Sequence, residues 1–283
     1  MKIPEFALRT KNMEAQHRHS HLSMFFFTPH DDEEIRRLTA EPLVRKNQSQ
    51  MTREEKELFL EGIEILINIG EYGNLASNHA NMNHNMHGHP QMPRPEVGAQ
   101  RFLPWHRAYL FELEQKLRAW NPSVYVPYWD WTIDRDIPDW LKNFTPTVVV
   151  NGIPRNVQRR PGLDPAANKL PPANDINIVN QQQTFTKFTD SLEGWKFRSF
   201  GLETDTHNRV HRWIGGIMAT SLSPVDILFW LHHATIDRIW SRWQESHPNL
   251  HPSLNGNDVI MDPWTYNESE LRKTEDLGYV YDS

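Results

Sequence analysis

Along residues 48–70, QSQMTREEKELFLEGIEILINIG, apolar residues return every three or four positions, the spacing of one helix face. Leu58, Ile65, Leu66 and Ile69 make the expected stripe, and Thr52 with Glu55 three residues on forms a capping-box pattern. A second amphipathic helix is predicted over RAYLFELEQKLRAW, residues 107–120. Leu110, Leu113, Leu117 and Trp120 share its apolar side, Glu112, Lys116 and Arg118 lie elsewhere, and Asn121-Pro122 stops it. A third runs through TDTHNRVHRWI to the pair Gly215-Gly216. The fourth covers SPVDILFWLHHATIDRIWSRWQESH, with Pro224 in its first turn and Phe229, Ile236, Ile239 and Trp243 facing the core.

From residue 134 to 190 the pattern dissolves into a stretch rich in Pro, Asn and Gln, read as a long loop excursion with no second core. Short strands fit VYVPYW and TPTVVV. Residues 1–43 read as an N-terminal arm, including the solvated His-rich tract HRHSH at 17–21. The prediction is a mainly α domain over residues 44–283, a four-helix bundle with long loops and few short strands.

Composition narrows the function. The 283 residues include 11 Trp, 13 Phe and 7 Tyr, ample material for a large core. A formal charge of −6 argues against nucleic acid or a membrane surface as partner. No run approaches the roughly 18 apolar residues of a membrane span, and no signal-peptide pattern opens the chain. Cytoplasmic residence is therefore expected, with export beside a partner as the alternative. The absence of cysteine excludes disulfides, thiolate ligands and a cysteine nucleophile. Any metal site must use histidine and carboxylate, and the 15 histidines cluster.

His207 and His211 stand four apart, on one face of the third helix, and His233 on the fourth can supply a third imidazole if the two pack antiparallel. A histidine pair by itself is equally a structural feature. The adjacent His232-His233 in an apolar helix, however, would be costly without partners. The zinc-protease pattern H-E-x-x-H fails, because Asn208 follows the first histidine. Three imidazoles suit zinc or copper. Upstream lie His79, His84, His87, His89 and His106. Two three-histidine clusters on four helices imply a binuclear site in the bundle core.

RFLPWHRAYLFELE, PYWDW, HNRVHRWIGGIM and SPVDILFWLHHATIDRIWSRWQ, in that order, resemble the tyrosinase family of type 3 copper proteins, and the resemblance runs from Met51 to Tyr281. It implies two copper ions, one held by His79, a loop histidine and His106, the other by His207, His211 and His233. The loop ligand is His87, chosen over His84 and His89; His232 is a packing neighbour. The implied activity is that of a tyrosinase or polyphenol oxidase: dioxygen captured between the coppers, monophenols hydroxylated at the ortho position, and o-diphenols oxidised to o-quinones. Asn208 matches the position associated with monophenol hydroxylation. Glu193, in SLEGW, resembles the glutamate that activates a water with that Asn. Arg212 either lines the pocket mouth or forms a surface salt bridge, and residues 218–223 with the excursion are expected to set the substrate. The alternatives are a catechol or o-aminophenol oxidase, an oxygen carrier of hemocyanin type, and a zinc hydrolase. Expected partners are a phenolic small molecule, O2 and a copper-delivering chaperone, with the chain a monomer or homodimer.

Overall fold

The first helix, expected to run up to Gly70, stops there, and a second begins directly after it. In the computed structural model, which describes residues 42–193 and 205–282, α1 spans Arg53–Asn68 and α2 spans Glu71–Ala80. Gly70 between them has φ 85°, the left-handed region that glycine enters at least cost. The capping box is present: Thr52 accepts from the Glu55 N–H, and the Glu55 carboxylate accepts from the Thr52 N–H. The buried stripe of α1 is Phe59, Gly62, Ile63 and Leu66, so it is rotated from the expected one; Ile69 caps the helix and is exposed.

Helix α3 runs from Pro95 to Trp120, so His106 lies in its middle rather than at its start. Pro104 inside it lacks an N–H and costs one rung of the ladder. Burial of Phe102, Leu103 and Trp105 around it keeps the helix going. Of the expected stripe, Leu110, Leu113 and Leu117 are fully buried and Trp120 partly so.

The excursion expected over 134–190 is built structure. Strands β2 (Thr147–Val150) and β3 (Ile153–Asn156) pair antiparallel, and helices α4 (Ala173–Asn180) and α5 (Phe185–Glu193) follow. Val148, Val150, Val157, Leu170, Val179 and Phe188 join the same core as the bundle. Arg159 grips Asp226 with two buried bonds of 2.7 and 2.8 Å. Strand β2 falls within TPTVVV, where one was expected; the helices are too short for their period to emerge, and the Pro- and Asn-rich spacers hide them. VYVPYW forms no strand; it is buried and joined to the chain by an isolated bridge between Asn47 and Tyr128.

Helix α6 (Thr206–Ile214) ends at Gly215 as expected. Helix α7 (Leu228–Ser246) begins after Pro224, which sits in its own short turn, Ser223–Val225. Asp226 takes over at the entry, accepting from the Leu228 N–H. Phe229, Ile236, Ile239 and Trp243 are all buried. The four helices α2, α3, α6 and α7 are the bundle, tied across by Tyr109 Oη donating to the Leu75 carbonyl and Trp230 Nε1 donating to Tyr72 Oη. The architecture is mainly α with few short strands.

Strand β1 (Leu43–Arg45) lies parallel to β4 (Tyr279–Tyr281). Arg45 is buried there, bonded to Glu114 at 2.9 Å, with the Tyr279 ring 3.5 Å from its guanidinium carbon. Asp237 of α7 accepts from Arg107 at 2.6 Å and from the hydroxyls of Tyr279 and Tyr281. The predicted arm, residues 1–43, lies outside the described residues except for its last two. Among the described residues no helix is long and apolar enough to cross a membrane.

Candidate metal centre

Each helix of the bundle delivers imidazoles to one place. His79 occupies the last turn of α2, His106 the middle of α3, and His87 the loop between these helices. The Nε2 atoms of His79 and His87 are 3.5 Å apart, and the His87 and His106 ring centroids 4.9 Å apart. On the other side, His207 and His211 project from successive turns of α6 toward His233 on α7. Their Nε2 atoms lie 3.2 and 3.3 Å from that of His233. Within each group the candidate donor atoms are all within 4.8 Å of one another.

Hydrogen bonds decide which nitrogen of each ring is free. His79 Nδ1–H donates to the Ser221 carbonyl at 2.8 Å, His106 to Phe102 at 2.7 Å and His211 to Met218 at 2.7 Å. His87 Nδ1–H donates to the Glu193 carboxylate at 2.9 Å, and His207 Nδ1–H to Asn208 Oδ1 at 3.0 Å. Carbonyl and carboxylate oxygens only accept, so these rings carry their proton on Nδ1 and point a bare Nε2 lone pair inward. The His106 Nε2 is buried with no hydrogen-bond partner. Such an orphaned lone pair fits a metal ion.

His232 is the instructive exception. Distance groups it with His207, His211 and His233. Its Nδ1 accepts from Trp131 Nε1–H at 3.1 Å, however, so its own proton sits on Nε2. In that tautomer Nε2 carries a proton and Nδ1 is already engaged, so the ring has no bare lone pair to offer a metal. Two triads remain.

Burial drives the imidazoles of His79, His106, His207 and His233 well below the ordinary histidine value, and the neighbouring rings add to the effect. Burial likewise lowers His211 to about 4 and His87 to about 3. All six are therefore neutral at neutral pH, the form that binds metal.

The three loop histidines part company. His84 faces Asp262 and stacks on Trp105. His89 Nδ1 accepts from the Gln91 N–H; His87 alone joins His79 and His106. Glu193 is buried beneath His87, its second oxygen accepting from the Gly88 N–H at 2.9 Å. Asn208 Nδ2 donates to the main-chain carbonyl of Glu193, not to its carboxylate. Arg212 forms a salt bridge with Asp205, the second of its two expected places.

Sequence reasoning missed several supports. The carbonyls of Met218 and Ser221 each fix a ring, one from each triad, so this segment orients ligands. Gly98 on α3 lets the loop approach: a Cβ there would lie 1.9 Å from the His87 carbonyl oxygen. A lone glycine within a buried helix is the only local signal for such an approach. Nothing local marks Trp131 as the residue that sets the His232 tautomer.

Six neutral imidazoles in two facing triads, inside a helical bundle and without sulfur, define a binuclear centre of all-nitrogen donors. The common central domain of tyrosinase matches residues 69–161 and 145–246. A tyrosinase of Streptomyces glaucescens is 34% identical over 264 residues, covering 78% of this chain and 92% of that protein. A functional unit of octopus hemocyanin shares the fold with a TM-score of 0.64 at 21% identity, covering 85% of this chain and 68% of that one. A polyphenol oxidase from Thermothelomyces thermophila does so with a TM-score of 0.62 at 17% identity, over 90% and 93%. The chain belongs to the tyrosinase family. It is an oxidoreductase whose cofactor is a pair of copper ions, and the two triads fit them.

Proposed function

We propose that the protein is a tyrosinase-type oxygenase, hydroxylating monophenols at the ortho position and oxidising o-diphenols to o-quinones with O2. When bound, the copper pair supplies electron transfer to dioxygen. The protein supplies a dry, fixed set of neutral donors. His79, His106, His207 and His233 are buried, whereas His87 and His211, one from each triad, are only partly covered.

A phenol binds a metal well only after losing its proton, so monophenol chemistry needs an acceptor nearby. The observation that carries the reading is the placement of Asn208. It bonds the His207 ring and the main chain of Glu193 together, and the Glu193 carboxylate lies against His87 of the other triad. Glu193 and Asn208 accordingly serve as the pair that holds and activates a water for phenol deprotonation. Copper-loaded protein offered tyrosine, a catechol and an o-aminophenol should consume O2 with all three and convert tyrosine to its o-diphenol. Turnover of the catechol or aminophenol alone, even with a trace of diphenol as primer, would assign a catechol or aminophenol oxidase instead.

A further inference from the structure

Five of the six imidazoles rest an Nδ1–H on a protein acceptor, and among these His87 alone rests on a carboxylate. His87 also differs in its backbone. The other five ligands ride on α2, α3, α6 and α7, whereas His87 sits in irregular chain after the short turn Met82–His84. A loop ligand has no helical ladder to hold it and needs fixing from outside.

Glu193 supplies that fixing twice. One carboxylate oxygen takes the His87 Nδ1–H and the other the N–H of the next residue, Gly88, both at 2.9 Å. The ring and the main chain of the loop are thus gripped by a single buried side chain. The grip extends to the second triad, because the Glu193 carbonyl accepts from Asn208 Nδ2 and Asn208 Oδ1 accepts from His207 Nδ1–H. One continuous path of hydrogen bonds runs His87, Glu193, Asn208, His207.

We propose that Glu193 is the positioning residue of His87, setting the copper affinity of the His79–His87–His106 triad. The proposal rests on the copper reading of the site and adds a task to the carboxylate besides handling the substrate proton. A carboxylate has lone pairs for more than two donors. Facing Nδ1–H, it fixes the tautomer and raises the basicity of Nε2 toward the metal. A copper ion beyond the ring in turn lowers the cost of keeping the carboxylate charged in a buried place.

Glu193→Gln tests this. An amide offers one acceptor where two donors converge, so either His87 Nδ1–H or Gly88 N–H is left facing an N–H. Copper per chain is measured at graded concentrations of a competing chelator, for wild type and variant. The expected result is a loss of about 10–100-fold in affinity at one site. A stage with one copper per chain then appears, marked by the electron paramagnetic resonance signal of an isolated Cu(II). Two coppers held by the variant at wild-type affinity would overturn the proposal. A wild-type protein that takes up no copper would instead overturn the copper reading. A second measurement needs neither copper nor a variant. Long-range 1H–15N spectra of the metal-free wild type should show His87 as the Nδ1–H tautomer, and an Nε2–H tautomer would sink the positioning role even if Glu193→Gln fails to fold.

Discussion

His106 and His233 lie face to face across the two triads, with ring centroids 4.3 Å apart and planes 13° from parallel. One comes from the middle of α3, the other from α7. Two neutral imidazoles stack comfortably at this spacing, but two imidazolium rings would repel strongly in so buried a place. The contact therefore belongs to a site assembled in the deprotonated state.

A pH dependence follows for the metal-free protein. In the unfolded chain these histidines take up protons near the ordinary value of 6.5, whereas in the fold His211 holds out to about 4 and His87 to about 3. Between those values the unfolded state binds more protons, so acid favours it. The full contribution should be present above a pH of about 6.5 and drain away as the pH falls toward 4 and then 3. Calorimetric Tm recorded down this range checks it; a flat Tm would mean the rings protonate inside the fold.

Asn208→Ala removes the link between Glu193 and His207. Monophenol hydroxylation should fall by about 100-fold or more, the scale of a lost proton-transfer arrangement. Catechol oxidation should stay within a few-fold. The ratio of the two rates, measured at equal copper content, is the readout.

In Gly98→Ala the new methyl collides with the His87 carbonyl oxygen, 1.9 Å from the ideal Cβ. The loop has to move away from α3. We expect destabilisation of about 1–3 kcal/mol and copper content below two per chain, read by denaturation and metal analysis.

Asp237→Ala strips the buried charge cluster of its centre. Burial alone would raise this carboxyl, but Arg107 and Arg45 hold it below the usual range. Without it both guanidiniums stay buried and less compensated, a loss of about 3–5 kcal/mol. Urea denaturation at neutral pH measures it.

The helices that carry His207, His211 and His233 were legible because their signal is local: a four-residue spacing, a terminating glycine pair and a run of core residues. Which loop histidine joins His79 and His106 was not legible from spacing. His84, His87 and His89 are equivalent in sequence, and what sorts the first two is an acceptor far along the chain. Asp262, 178 positions away, takes His84, and Glu193, 106 positions away, takes His87. The same holds for His232, whose tautomer is set by Trp131. The first half of α3 was not anticipated either: the helix was expected over 107–120, whereas it starts at Pro95 and carries Pro104 inside it. The helices of the excursion were missed because they are short and borrow their core from the bundle instead of building one.

The pairing of β1 with β4 also bears on how the domain is born. By residue 233 a growing chain has made every imidazole of both triads, yet the strand that covers Arg45 is still to come. Until residues 279–281 are synthesised, Arg45 lacks its tyrosine ring and Asp237 lacks both phenolic donors. Vectorial synthesis thus completes the imidazoles of both triads before the enclosure is sealed, leaving an interval in which a nascent chain owns its histidine clusters but not its closed core.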